Sequence, residues 1–478
     1  MNRRSTIIAL LAMSFPFPSA MAQAQSGVTI ISPRRQVPRN PGYRNGGYGR
    51  APRSRPNNQN LNNTFLTAVQ SGNVMAVRSL LDRGASPNTV TRDGLSALMI
   101  AVQRDDAPMA ALLLDRGANV NLADKKGDTP LIVAAGVGAD QVTLLLLARG
   151  AGIDLRNRAG DTALLYAAGN GHAPIVAALL EKNADLALAD NKGVTPLMAA
   201  SGEGHVDVVK QLLEKKPRLE FKDKSGATAL VYAAHHGSVE VSQELLTTGA
   251  DVAARDKDGY NALIIACGLG KLKLANLLVD HGADIRSVDI LGNTPLMAAA
   301  SSGNAELVSY LLGNKANPGA RDKDGFTALL IAAKYGQPAT LEPLLKARPN
   351  LKAEDKDGND PVMLATQAGN QPAVKLLLDA GADATHANHT GVTALILAAK
   401  YGHSDIVNAL LAKKAHLDDV DAGGNSALMQ AAQFGCSECA RALVAAGADL
   451  TLRNKQGETA HSLAVQNSYP DIAKLLQR

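Results

Sequence analysis

The chain has 478 residues, 46% of them apolar, with a net charge of +5, three Cys, no Trp and only 3% aromatic residues. After the N-terminus no apolar run reaches the roughly 20 residues that a membrane span needs, which argues against an integral membrane protein. The charge hides a split: nine Arg and no acidic residue lie in residues 1–60, leaving 40 basic against 44 acidic residues beyond them.

Arg3-Arg4 opens a short basic stretch, Thr6 to Phe17 is apolar, and Ala20-Met21-Ala22 offers small residues for a peptidase. This pattern predicts a signal peptide over residues 1–22, cleaved after Ala22, and a periplasmic or secreted mature chain. Pro16 and Pro18 interrupt the run, which disfavours a membrane anchor. Residues 23–60 form the next segment, rich in Arg, Pro, Gly and Asn. They are expected to be a disordered linker. A basic segment of this kind can touch anionic surfaces weakly, but a solvated spacer is the preferred reading, and no specific nucleic acid is expected.

From Gly94 to Gly457, twelve glycines stand 33 residues apart without an insertion, and Asp or Asn precedes eleven of them by three positions. An Asx side chain can accept the backbone N–H two residues on, and Gly supplies the positive φ that closes a tight turn. Three of these turns read Asp-Lys-Asp-Gly, at Asp256, Asp322 and Asp355. They are not calcium loops of the EF-hand type. Placing Gly259 at the sixth position of such a loop puts Ala254 first and Ile265 twelfth, where oxygen ligands are required. The expected structure is a β-hairpin tip, repeated.

Two residues after the turn Gly come Thr129-Pro130-Leu131, Thr195-Pro196-Leu197, Thr294-Pro295-Leu296 and variants such as Ser426-Ala427-Leu428. Thr caps a helix and Pro suits its first position. An alanine pair follows (Ala134-Ala135, Ala332-Ala333), then a Gly and a second apolar run at helical spacing (Val206, Val209, Leu213). This 33-residue unit resembles the ankyrin repeat. The likeness covers residues 61–478. It implies an all-α repeat solenoid with β-hairpin tips, an ankyrin array of about thirteen units forming one elongated domain. One departure is consistent, since the His that follows Thr-Pro-Leu in the family pattern is Met, Ile, Leu or Val in most units here. Lys216, Lys315, Arg348 and Lys414 stand where other units carry the Gly that ends the second helix, so they are expected in a left-handed backbone.

Catalytic and cofactor signatures are missing: no G-x-S-x-G, no H-E-x-x-H and no P-loop. Neither an enzyme nor a cofactor is expected. His172, His205 and His403 follow inter-helix turns and read as turn stabilisers. His235-His236 and His386/His389 lack a visible third metal ligand. Cys267 falls in an alanine-pair slot and Cys439 in an Ile/Val slot, so core filling is preferred for them over redox work by Cys436 and Cys439.

What remains is a surface. The resemblance implies partner binding by the tips and the exposed end of the first helix, along one concave side. On those positions lie Arg255, Tyr260, Leu269, Ile290, Arg321, Phe326, Tyr335, Tyr401 and Phe434. Aromatics and Arg are the usual interface anchors. The expected function is an exported interaction module that binds an envelope protein through the concave face. The alternatives are a redox or metal-handling envelope protein using Cys436 and Cys439, and an effector directed to a host cell.

Overall fold

A computed structural model describes residues 58–335 and 337–477. The expected signal peptide and all but the last three residues of the expected linker lie outside them. Among the described residues, twenty-six helices follow in thirteen pairs, from Asn58–Gln70 with Val74–Asp82 to Ala460–Gln466 with Pro470–Leu475. A typical unit pairs a seven-residue helix, Ala262–Gly268, with a nine-residue one, Leu272–Asp280. The contacts fall into two compact units, divided between Lys224 and Ser225. Within each unit first helices pack on first helices and second on second.

Side chains at the first-helix start explain why each helix begins where it does. Thr195 Oγ1 accepts the N–H of Met198 at 3.3 Å, and Asn261 Oδ1 that of Ile264 at 2.9 Å. Each such cap stabilises its helix by about 1 kcal/mol. Behind the caps, Ala134, Ala135, Ala332 and Ala333 are fully buried, as are Leu179, Leu212, Leu245 and Leu278 of the second helices. No helix so short holds itself together, so burial between neighbouring units supplies the stability.

The tips correct one expectation. Among the described residues there is no β-strand; four isolated bridges, such as Arg255 with Asn261, are all that appears. The Asp side chain is the cause. Asp256 Oδ1 accepts the N–H of Asp258 at 3.0 Å and that of Tyr260 at 2.8 Å. The second of these amides would otherwise open a backbone ladder. The Asp256 N–H still reaches Tyr260 O (3.0 Å), but the Lys257 N–H goes to Ser225 O in the preceding tip (2.8 Å). Gly259, at φ 81°, closes the turn. The tips are therefore Asx turns tied to one another, not hairpins.

The left-handed sites are where the spacing puts them: φ is 53° at Lys216, 66° at Lys315, 51° at Arg348 and 62° at Lys414. Lys315 N–H donates to Leu312 O and Ala316 N–H to Leu311 O, the same pair of bonds that Gly282 and Ala283 make. A side chain in this backbone costs about 1 kcal/mol. Lys315→Gly and Lys414→Gly are each expected to raise the melting temperature, by about 2–4 °C per kcal/mol. Thermal melts followed by circular dichroism check this, and no rise in either variant refutes it.

Candidate protein-binding face

Two rows of positions recur along each unit: the residue after the turn Gly, and the residue that ends the first helix. In residues 58–224 the first row holds Leu95, Asp128, Asp161 and Val194, with no aromatic among them. Asn157 Nδ2 donates to Asp128 Oδ1 at 2.8 Å and to Asp161 Oδ2 at 3.1 Å. Burial holds both carboxyls above the usual carboxylate range and pushes the neighbouring Tyr166 phenol well up. In residues 225–478 the same row carries Tyr260 and Phe326. The Tyr260 hydroxyl is raised to about 12, chiefly by burial, with the carboxylates of Asp289, Asp258 and Asp256 adding to it.

The nine expected contact residues divide into three groups. Arg255 and Arg321 are committed to the tips themselves. Arg255 donates to Gly259 O at 3.3 Å and also to Val288 O in the next tip. Arg321 donates to Glu354 O at 3.1 Å, again 33 residues on. Arg156 repeats the arrangement, its Nη2 meeting Ala189 O at 2.6 Å. These guanidiniums are rungs between neighbouring tips.

Tyr260, Leu269, Tyr335 and Phe326 form the second group. The first three are half-buried. Phe326 is only 3% exposed, with Lys334 Nζ 4.7 Å above its ring centroid. The expectation of an exposed Phe326 is overturned: its ring fills the gap between tip and first helix instead of facing solvent.

Ile290, Tyr401 and Phe434 are the third group. They are 50%, 45% and 50% exposed, and Leu291 beside Ile290 is exposed as well. The Ile290-Leu291 tip is held rigidly. Asp289 Oδ1 accepts from Leu291 N and Asn293 N, both at 2.8 Å, and Ile290 N–H donates to Asp258 O at 3.0 Å. Tyr401 and Phe434 end the first helices of successive repeats. Lys400 Nζ lies 5.8 Å from one ring centroid and 5.9 Å from the other, so one cation joins two exposed rings. His403 stands 6.1 Å from Tyr401, centroid to centroid.

The other histidines act locally. His205 Nε2 lies 3.1 Å from Gly169 O. Its ring also covers Gly171, where an added Cβ would approach Nδ1 to 2.6 Å. His172 covers Gly138 and His403 covers Gly369 in the same way. Turn stabilisation is thus visible in the geometry. His386 Nε2 sits 2.9 Å from Gly358 O and 3.8 Å from Glu354. Burial lowers His235 to about 4, leaving it neutral at ordinary pH. Among the described residues no group of three or more His, Cys, Asp or Glu could hold a metal ion. No helix there is long and apolar enough to cross a membrane.

The sequence left open whether Cys436 and Cys439 pair; they are joined by a disulfide, while Cys267 is free and buried. One feature was missed. Asp360, in a slot that elsewhere holds Thr, Ser or Asn, is a buried carboxyl raised to about 6 by burial.

No curated protein matches the chain in sequence. The family model for ankyrin repeats, three copies to the model, matches it six times, over residues 65–157, 134–223, 216–289, 282–355, 331–421 and 415–478. Paired helices, Asx tips and stacked alanines agree with that match along nearly the whole described chain, which belongs to the ankyrin-repeat family of non-catalytic, protein-binding scaffolds.

Proposed function

We propose that the protein is an exported scaffold that binds an envelope protein through the tips and first-helix ends of residues 225–478. The observation that carries this reading is the exposed pair Tyr401 and Phe434 around Lys400, with the rigid apolar tip Ile290-Leu291 three repeats earlier. The corresponding first-helix ends in residues 97–224 are Arg104, Val137, Asn170 and Glu203, none of them aromatic. Large rings bury much area at little entropic cost, and truncating a true anchor loses about 2 kcal/mol or more, roughly thirtyfold in affinity. A pull-down from the envelope fraction with the mature chain supplies the partner. Tyr401→Ala and Phe434→Ala should then weaken it about thirtyfold with little change in melting temperature, and Glu203→Ala should not. Normal binding by both aromatic variants would place the footprint elsewhere.

Export rests on the basic, apolar and small-residue order of residues 3–22. The mature chain is expected to begin near Gln23, which intact-mass measurement of the exported protein decides. Retention of residues 1–22 would favour an anchor.

A further inference from the structure

We infer that the Cys436–Cys439 disulfide is an exchange site for cysteine thiols, with Cys436 Sγ the sulfur that an incoming thiolate attacks. The two sulfurs are unequal. Cys439 is wholly buried in the first turn of the helix Ser437–Ala445, whereas Cys436, its N-cap, is half-exposed. Only the Cys436 side is open to a thiolate from solution. The thiolate that the second step of the exchange releases on Cys436 also has a place: the backbone N–H of Cys439 donates to Cys436 Sγ at 3.2 Å, at the positive end of a helix.

Neither capping nor stapling accounts for the pair. At the same position Asn73, Asp106, Ser238, Asn304 and Asn370 cap their helices with an ordinary oxygen. The position of Cys439 is Ile175, Val208 or Leu307 in other repeats, all buried. A bond across three residues of one helical turn closes so short a loop that it removes little entropy from the unfolded chain. Cys436 stands two residues after Phe434, whose ring is 50% exposed.

The exchange balances as two thiols for one disulfide. A first thiolate bonds to Cys436 Sγ, and the Cys436–Cys439 bond breaks toward Cys439, which leaves with the electron pair and takes a proton. A second thiolate then attacks the outer sulfur of the mixed disulfide and releases the Cys436 thiolate. Two external thiols are oxidised to a disulfide and the protein pair is reduced by two electrons. The event is stoichiometric: one exchange per molecule, with no turnover.

Glutathione is the probe. Incubated with the folded full chain and quenched by alkylation, it should open the bond of the native protein while buried Cys267 stays unmodified. The reduced chain should melt within a few degrees of the oxidised one. Oxidised glutathione should label Cys436 of Cys439→Ala at least tenfold faster than it labels Cys439 of Cys436→Ser, as read by peptide mass. The inference is overturned by a bond that stays closed under excess glutathione, by equal or reversed labelling rates, or by reduction that unfolds the repeat. The native-chain measurement stands even if one variant fails to fold, and none of these readings requires the protein partner proposed above.

Discussion

Phe326→Ala is expected to destabilise residues 225–478 by about 3–4 kcal/mol, the usual loss for deleting a buried Phe ring. The ring is 3% exposed and cannot be replaced by water without leaving an apolar cavity between the tip and the helix Ala328–Lys334. Its backbone is fixed independently. Phe326 N–H donates to Asp322 Oδ1 at 2.8 Å, and its carbonyl accepts the N–H of Asp322 at 2.9 Å. The tip therefore keeps its course when the ring is removed and does not collapse into the space. Lys334 also loses the ring beneath its ammonium. At about 2–4 °C per kcal/mol the melting temperature should fall by roughly 6–16 °C. Because repeats are stabilised by their neighbours, hydrogen exchange should quicken first in the units flanking Phe326. Tyr401→Ala, with its ring largely in water, should move stability by less than about 1 kcal/mol. Equal losses in the two variants would refute the distinction.

That distinction marks where reading the sequence stops. The 33-residue spacing of Gly94 to Gly457 carries the array, since a turn that needs positive φ recurs only if the whole unit does. Lys315 and Lys414 were legible for the same reason: they occupy a backbone state already assigned by the glycines around them. Phe326 and Phe434 look alike in one dimension. One follows a turn and folds beneath Lys334, while the other ends a helix and projects, and only side-chain packing separates them. Arg255 and Arg321 looked like anchors because the carbonyls they reach lie 33 residues on, in the next tip. The hairpins failed for a subtler reason. Asp and Gly correctly marked the turn, but the carboxylate captures the amide that a strand ladder would have used. Cys439 was placed correctly in the core, yet the bond to Cys436 depends on the cap geometry of a single helical turn.

Asp360→Asn is expected to stabilise the protein at neutral pH and to leave it nearly unchanged in acid. The carboxyl caps the helix Pro361–Gln367, its Oδ1 accepting the N–H of Met363 at 2.8 Å, and it is 2% exposed. Burial disfavours the charged form and raises the group from 3.8 to about 6, against the lowering effects of the Met363 N–H and of His386; Asp383 raises it further. The folded state thus holds this proton more tightly than the unfolded chain does. Its contribution to stability is fully present below about pH 4, and is lost as pH rises through about 6. A difference of roughly two pH units corresponds to about 2–3 kcal/mol between acid and neutral solution. Asn keeps the capping oxygen and carries no charge, as Asn261 does in its own helix with a 2.9 Å bond to Ile264 N. Subtracting wild-type from variant stability at each pH removes the titration of groups that the substitution leaves alone. In urea melts from pH 3.5 to 7.5, the gain from Asp360→Asn should be near zero at the acid end. It should grow between about pH 4 and 6 and level off above 7. A gain independent of pH would mean that the carboxyl titrates alike in the folded and the unfolded chain, as a solvated group does. A loss that deepens with pH would mean that the helix needs the charge at its cap more than burial penalises it.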